Sequence, residues 1–187
     1  FEFGLVKNGF AWAFPANNEV NIGMGTFLDN KNSISVNKIL NSFLPDLGFD
    51  PSEVIGHEKK LRVWNGHSKL NGEGILLVGD AASLCDPFLA EGLRPALMSG
   101  FEAAMSINYW LDGEINCLDE YTKTMQSNWG NSMAWGKRIS QVFYRFPKVG
   151  YQLGVKRPTA PKRIAQILSG EMSYEDIAKR VIKRLLF

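Results

Sequence analysis

The stretch from Ile75 to Gly100, "ILLVGDAASLCDPFLAEGLRPALMSG", constrains the fold more than any other part of the chain. Its first four residues, Ile75–Val78, are all apolar, which predicts a short strand of a sheet buried on both faces. Gly79 follows, where a missing side chain permits the close approach of a ligand. Asp80 then lies at the carboxyl end of the strand, a common place for a ligand-binding carboxylate.

A loop and a long helix are predicted to follow this strand. Ala81 keeps the neighbourhood narrow, Pro87 stiffens the loop and Gly92 opens the helix. Free amides and the positive end of the helix dipole then face whatever lies at the helix start, which suits an electron-rich group. A lone Gly-Asp pair would indicate only a capped turn, but the joint pattern favours a ligand site. The helical spacing is carried by Leu93, Ala96, Leu97, Gly100, Ala103, Ala104, Ile107 and Trp110.

This segment resembles the second flavin fingerprint of FAD-dependent enzymes with the p-hydroxybenzoate hydroxylase fold. In that family the aspartate of the Gly-Asp pair binds the ribityl chain of FAD, and the later Pro and Gly line the isoalloxazine ring. The resemblance implies that Asp80 binds ribityl hydroxyls, and that the amides around Gly92 face the pyrimidine edge of the ring. The cofactor-binding residues implied are Gly79, Asp80, Ala81, Pro87, Glu91, Gly92 and Leu93.

A second motif lies upstream. The run "FAWAFP", residues 10–15, resembles the aromatic-x-Trp-x-Phe-Pro motif of the geranylgeranyl reductase family, which lies beside the isoprenoid-binding cavity. The resemblance implies that Trp12, Phe14 and Pro15 bind a polyprenyl substrate by offering it an apolar wall. Ala16 stands where that family often has Lys. The alternative, that Trp12 and Phe14 are ordinary core residues of a half-buried sheet, stays open.

The fold class expected is α+β. An antiparallel sheet segment over residues 1–72 precedes the last strand–loop–helix of a flavin-binding α/β domain over 73–112, and a helical C-terminal region covers 113–187. Asn-rich turns divide residues 1–28 into an antiparallel meander in which Trp12 and Phe14 share a face. Ser35 is the predicted N-cap of a helix that ends before Pro45.

Further strands and breaks follow from local patterns. The run "EVIGHEKKLRVWNG", residues 53–66, predicts a strand with a polar edge. The C-terminal region should be wholly helical from Leu118, with breaks near Gly130, residues 147–154, Pro158/Pro161 and Gly170.

The chain opens on Phe1 inside a predicted strand, so we expect it to be the C-terminal portion of a longer protein. The G-x-G-x-x-G motif that binds the ADP half of FAD in the family is missing. The glycines of "NIGMGTF" lie in a hairpin-like strand, whereas that motif must lie between a strand and a helix. The chain is therefore expected to supply only part of a flavin site.

Composition excludes several other classes of protein. The formal charge is +2, from 21 basic and 19 acidic residues, which is too small to indicate a nucleic-acid partner. Two cysteines cannot build a disulfide scaffold, and no metal site is predicted. No apolar run reaches the roughly 18 residues of a membrane helix. A cytoplasmic setting fits this composition.

Five polar residues are further candidates for a functional role. His57 and His67 lack a nucleophilic partner in a recognisable motif, so surface or structural roles are expected. Cys85 is expected to be a small buried residue, and Glu91 to have a loop or capping role rather than to donate a proton. Asp86 is expected to face solvent or to cap its turn.

The residues from Tyr174 onward, "YEDIAKRVIKRLLF", predict an amphipathic helix with a basic remainder. Two interpretations stay open. The helix docks on the helical region, with its cations near its own C-terminus, or it rests on an anionic membrane surface. Its apolar face carries Ile177, Val181, Ile182 and Leu185, and its basic residues are Lys179, Arg180, Lys183 and Arg184.

The two resemblances together imply a FAD-dependent oxidoreductase that reduces C=C bonds of a geranylgeranyl or other polyprenyl group. Reduced flavin would deliver the hydride, and NADPH or ferredoxin would reduce the flavin in the longer enzyme. No residue is assigned a catalytic role. Two alternatives are a flavin-dependent monooxygenase or halogenase of the same fold, and a non-catalytic flavoprotein-like module.

Overall fold

The structure of the protein is a computed structural model that describes residues 1–27 and 36–186, with the backbone alone at residues 153 and 184–186. The predicted N-cap Ser35 and the side chains of Arg184 and Leu185 lie outside this description. The described chain combines helices with small antiparallel sheets, which agrees with the α+β class. It divides into two compact units, Phe1–Lys59 and Lys60–Phe187, and each is described by itself.

The first unit contains the predicted antiparallel meander. Its strands lie in the order β1-β2-β3. Asn8 forms part of the first turn with a φ of +54°, a conformation that Asn tolerates better than most residues. The elements are β1 (Glu2–Phe3), β2 (Gly9–Ala16), β3 (Glu19–Thr26), α1 (Val36–Phe43) and short 3₁₀ turns at Pro45–Leu47 and Pro51–Glu53.

One face of β2 is aromatic. Phe10, Trp12 and Phe14 lie on it because side chains alternate along a strand, and Trp12 and Phe14 stack with ring centroids 6.3 Å apart. The residue opposite Trp12 on β3 is Gly23, and a Cβ placed there would overlap the indole ring. The indole therefore lies flat across the glycine, an arrangement that shields an otherwise bare strand position.

Over the residues that the structure describes, the second unit consists of a two-stranded hairpin and six helices, with a 3₁₀ turn at Gly79–Ala82 between them. The strands are β4 (Asn71–Gly72) and β5 (Ile75–Leu76), and the helices are α2 (Leu93–Leu111), α3 (Asp119–Met125), α4 (Asn131–Arg145), α5 (Pro147–Gly150), α6 (Ala160–Ser169) and α7 (Tyr174–Leu186). Single π-helical turns at Gln126–Gly130 and Tyr151–Val155 follow α3 and α5.

The core of the second unit is rich in aromatic and methionine side chains. Helix α7 packs on α4, where Gly136 leaves room for the ring of Tyr174: a Cβ on Gly136 would lie 2.8 Å from Tyr174 Cδ2. The docked interpretation of α7 is therefore correct for its first two turns. The largest members of the core are Trp64, Tyr121, Met125, Trp129, Met133 and Tyr174.

Two strand predictions are wrong. Residues 54–62 form no regular structure, and the predicted strand there is reduced to a single bridge between Val63 and Cys85. Its charged centre offers no apolar face that would favour pairing. The strand predicted at Ile75–Val78 has only two paired residues and is not buried on both faces, because Ile75 is 60% exposed.

The helix breaks are partly corrected. Gly170 ends α6 with a φ of +83°, as predicted. Gly130 does not break the helix, because the π-helical turn runs directly into α4. His67 lies against this glycine. Helix α2 begins at Gly92 as predicted, but it buries Pro95, Ser99 and Ala103 rather than its larger apolar residues.

We expect Gly23→Ala to displace the Trp12 indole, because the new methyl group would occupy the space of the ring. Overpacking of this kind costs about 1–3 kcal/mol of folding free energy. The matched control is Gly25→Ala on the same strand, whose Cβ would lie an ordinary 3.9 Å from the same ring. The Trp12 indole N–H resonance and the urea midpoint measure the effect. Equal shifts in the two variants would contradict the packing described.

Candidate functional site

The site predicted from the sequence begins at the Gly79–Ala82 turn. Gly79 has a φ of +55°, which favours glycine, and its N–H donates to Ser99 Oγ on α2 at 2.9 Å. A Cβ on Gly79 would lie 3.1 Å from the Cβ of Ala96. The missing side chain therefore serves the close packing of the turn on α2, and the predicted approach of a ligand at this glycine remains untested.

Asp80 lies beside the N-terminus of α2. Its Oδ1 is 3.4 Å from the point where a Cβ on Gly92 would stand. The residue is exposed, and its carboxylate makes no hydrogen bond or ion pair with any side chain or backbone group in the described part of the chain. The structure thus brings Gly79, Asp80 and Gly92 together, and it leaves the acceptor oxygens of Asp80 open to a donor. Ala81 and Leu93 are exposed on either side of them.

The start of α2 is capped by Glu91, whose Oε1 accepts a hydrogen bond from the backbone N–H of Arg94 at 2.7 Å. A carboxylate at this position also interacts favourably with the helix dipole. The capping role expected for Glu91 is confirmed. The N-cap residue itself, Gly92, has no side chain to cover the helix end.

Asp86 differs from its prediction in burial but not in its capping role. It does cap its turn, since Oδ1 accepts from the N–H groups of Phe88 and Leu89 at 2.6 and 2.9 Å. The expectation that it faces solvent is wrong, because only 2% of it is exposed and Oδ2 accepts a 2.6 Å hydrogen bond from the hydroxyl of Tyr174. Burial raises the pKa of Asp86, and the three hydrogen bonds oppose that shift.

Cys85 is buried, as expected, and its carbonyl accepts a hydrogen bond from the N–H of Trp64 at 2.7 Å. Burial, together with the nearby charges of Asp80 and Asp86, raises the pKa of its thiol to about 12. The residue therefore carries a thiol rather than a thiolate near neutral pH. Beside it, Trp129 Nε1 donates to the carbonyl of Leu84 at 3.0 Å, so the loop is held from two directions. Pro87 is buried in the same loop.

Two strained residues flank this loop. Ser83 and Ala90 have φ values of +54° and +55°, a region that non-glycine residues adopt at a cost of about 1 kcal/mol or more. Such strain persists only where surrounding contacts impose it, and it is concentrated at functional sites. No sequence signal identifies either residue, because Ser and Ala are common everywhere.

The aromatic motif presents an open apolar surface. Phe14 is 43% exposed and Pro15 is exposed, whereas Phe10 is buried and Trp12 is half-buried. Trp12 Nε1 donates to Asn21 Oδ1 at 2.8 Å, which fixes the plane of the indole. The interpretation of Trp12 and Phe14 as ordinary residues of a half-buried sheet therefore fits the half-buried Trp12 but not the exposed Phe14.

The two histidines have the surface and structural positions expected of them. His57 is exposed, and His67 packs edge-to-face on Trp64 with ring centroids 5.5 Å apart. Residues 1–27 and 36–186 contain no group of His, Cys, Asp and Glu side chains arranged to hold a metal ion. None of the helices in these residues combines the length and the apolar composition that crossing a bilayer requires.

Comparisons with known proteins point to reductases. The chain is 32% identical over 182 residues to the menaquinone reductase of Mycolicibacterium smegmatis, which covers 92% of this chain and 44% of that protein. It is 26% identical over 145 residues to digeranylgeranylglycerophospholipid reductase 1 of Methanococcoides burtonii, covering 75% and 35%. It is 25% identical over 187 residues to digeranylgeranylglycerophospholipid reductase 2 of Methanopyrus kandleri, covering 94% and 46%.

The chain spans less than half the length of these curated relatives. No protein-family model matches it, and no solved structure does. The word that these names share, reductase, supports an oxidoreductase.

We expect Gly79→Ala to destabilise the second unit by about 1–3 kcal/mol, through its positive φ and its contact with Ala96. Gly74→Ala is the matched control, because Gly74 has a similar φ of +67° but nothing within 4 Å of its Cβ position. Chemical denaturation of both variants separates backbone strain from the helix contact. Equal losses of stability would show that the packing on α2 contributes nothing.

Proposed function

We propose that this chain is part of a FAD-dependent oxidoreductase that saturates C=C bonds of a geranylgeranyl or other polyprenyl group. The observation that carries the proposal is the open Asp80 carboxylate beside the N-cap residue Gly92, at the N-terminus of α2. The names of the relatives support a reductase.

The residues present fit the ribityl and ring portions of FAD. The ribityl hydroxyls are donors that suit the two oxygens of Asp80, and the amides of Gly92 and Leu93 suit the electron-rich pyrimidine edge of the ring. Gly79, Ala81, Pro87, Glu91, Gly92 and Leu93 would surround the cofactor or support that contact. When bound, reduced FAD supplies the hydride for the double bond. NADPH or ferredoxin is the proposed reductant.

The proposed substrate wall is the aromatic face of β2. A polyprenyl chain has almost no polar groups, so it is recognised by apolar area, and Trp12, Phe14 and Pro15 provide such area on one strand. The stacked rings of Trp12 and Phe14 form its flat part. Asn21 and Gly23 hold the indole in place from β3.

The other two functions are not favoured. A flavin-dependent monooxygenase or halogenase would use the same flavin contacts, and a non-catalytic module would need none of them. The relatives described above are named reductases, which agrees with neither alternative.

We expect Asp80→Ala in the longer protein to fold normally and to bind FAD about 10- to 150-fold more weakly, since charge-assisted hydrogen bonds contribute about 1.5–3 kcal/mol. The matched control is Asp112→Ala, which removes an exposed carboxylate from the opposite end of α2. Flavin titration measures both. The 187-residue chain alone should lose FAD on gel filtration. Wild-type affinity for FAD in the Asp80→Ala variant would contradict the assignment of FAD as the cofactor.

Shortening the aromatic wall should change substrate preference. Trp12→Ala and Phe14→Ala remove apolar contact worth about 25 cal/mol per Å², so long prenyl chains should lose more turnover than short ones. A folding defect would lower the rates for all substrates together and reduce the melting temperature. Unchanged chain-length preference in a well-folded variant would count against the wall.

A peripheral membrane contact through α7 remains a prediction. The packed side of this helix carries Tyr174 and Ala178, whereas Val181 and Ile182 are exposed. Val181→Ser and Ile182→Ser therefore test the contact without disturbing the core. Flotation with anionic vesicles should recover less of the double variant than of the wild type, and equal recovery removes the membrane role.

A further inference from the structure

A buried hydrogen bond ties the C-terminal helix to the loop that precedes α2. The hydroxyl of Tyr174 donates to Asp86 Oδ2 at 2.6 Å across 88 positions of sequence. Tyr174 is 1% exposed and Asp86 is 2% exposed, so water does not compete for either group. The other oxygen of Asp86 holds the N–H groups of Phe88 and Leu89, and the carboxylate thus joins the loop to α7.

Aromatic side chains also pack against the same loop. The ring of Phe88 meets those of Phe143, Tyr144 and Tyr174 edge-on, with centroids 5.3, 6.2 and 6.1 Å apart. Two of these partners belong to α4 and one to α7. Edge-to-face pairs of this kind contribute beyond their buried area and fix ring orientation. The loop is therefore held in place by two helices that carry no recognisable motif.

Hydrogen bonds within the loop connect Asp86 to the start of α2. The N–H of Asp86 donates to the carbonyl of Glu91 at 2.8 Å, and the N–H of Ala90 donates to the carbonyl of Asp86 at 3.1 Å. Glu91 in turn caps the helix through the N–H of Arg94. A displacement of Asp86 would therefore move Glu91 and Gly92, next to the Asp80 carboxylate.

We propose that Asp86 and Tyr174 are positioning residues of the cofactor site, an inference that rests on the function proposed above. They hold the loop from residue 86 to residue 91 so that the amides of Gly92 and Leu93 and the Asp80 carboxylate face one ligand together. The C-terminal helix is then part of the machinery that orders the flavin site, although it does not touch the ligand.

The experiment uses the longer protein and three variants. Tyr174→Phe removes one hydroxyl and keeps the ring that packs on Phe88. Asp86→Asn is the conservative variant, because its amide oxygen can accept from the loop N–H groups while its NH₂ donates to the Tyr174 oxygen. Leu118→Ala, at a buried residue just before α3, is the control for general destabilisation.

FAD titration, the visible absorbance band of bound flavin and the melting temperature are measured for each. We expect Tyr174→Phe to weaken FAD binding at least about tenfold and to shift the flavin band at saturation. Asp86→Asn should retain most of the wild-type affinity for FAD. Leu118→Ala should lower the melting temperature without changing the affinity or the band.

The outcomes distinguish a failure of the positioning role from a failure of the proposed function. If the wild type does not bind FAD, the proposed function fails and the positioning role fails with it. If the wild type binds FAD and Tyr174→Phe lowers only the melting temperature, the proposed function survives and the positioning role is overturned. Should Tyr174→Phe not accumulate, Phe88→Leu loosens the same aromatic packing, and an unaltered flavin band in that variant would likewise overturn the inference.

Discussion

The packing of the Gly79–Ala82 turn on α2 is the constraint on which the candidate site depends. Gly79 donates to Ser99, which is fully buried and in turn donates to the carbonyl of Ala96. Small residues on this side of α2 let the backbone of the turn approach the helix. That approach places the Asp80 carboxylate beside Gly92. The carboxylate oxygens and the positive end of the α2 dipole therefore lie next to the same proposed ligand position. A larger residue at Gly79 would separate them.

Local patterns in the sequence predict the elements of the site well. The start of α2 at Gly92 follows from helical spacing and a preceding loop, and the shared face of Trp12 and Phe14 follows from strand alternation. These features depend on residues that are close in sequence. The same holds for Asp80, because its neighbours on both sides carry the pattern.

Features that depend on distant partners could not be predicted. The burial of Asp86 requires Tyr174, and nothing in a local pattern links residues so far apart. The same limit explains the wrong strand at residues 53–66, since pairing needs a partner strand and only Val63 finds one. The exposure of Ile75 is also a tertiary property: its apolar sequence predicts a buried strand, and the described structure pairs it on one side only.

Product analysis is the most direct test of whether flavin reduces a polyprenyl double bond in this enzyme. The longer protein, loaded with FAD and reduced by dithionite without oxygen, is incubated with a geranylgeranyl lipid, and the product mass is measured. We predict a gain of two hydrogen atoms for each saturated bond, with no oxygen incorporated. An unchanged lipid without oxygen, together with an oxygenated product when oxygen is admitted, would contradict it.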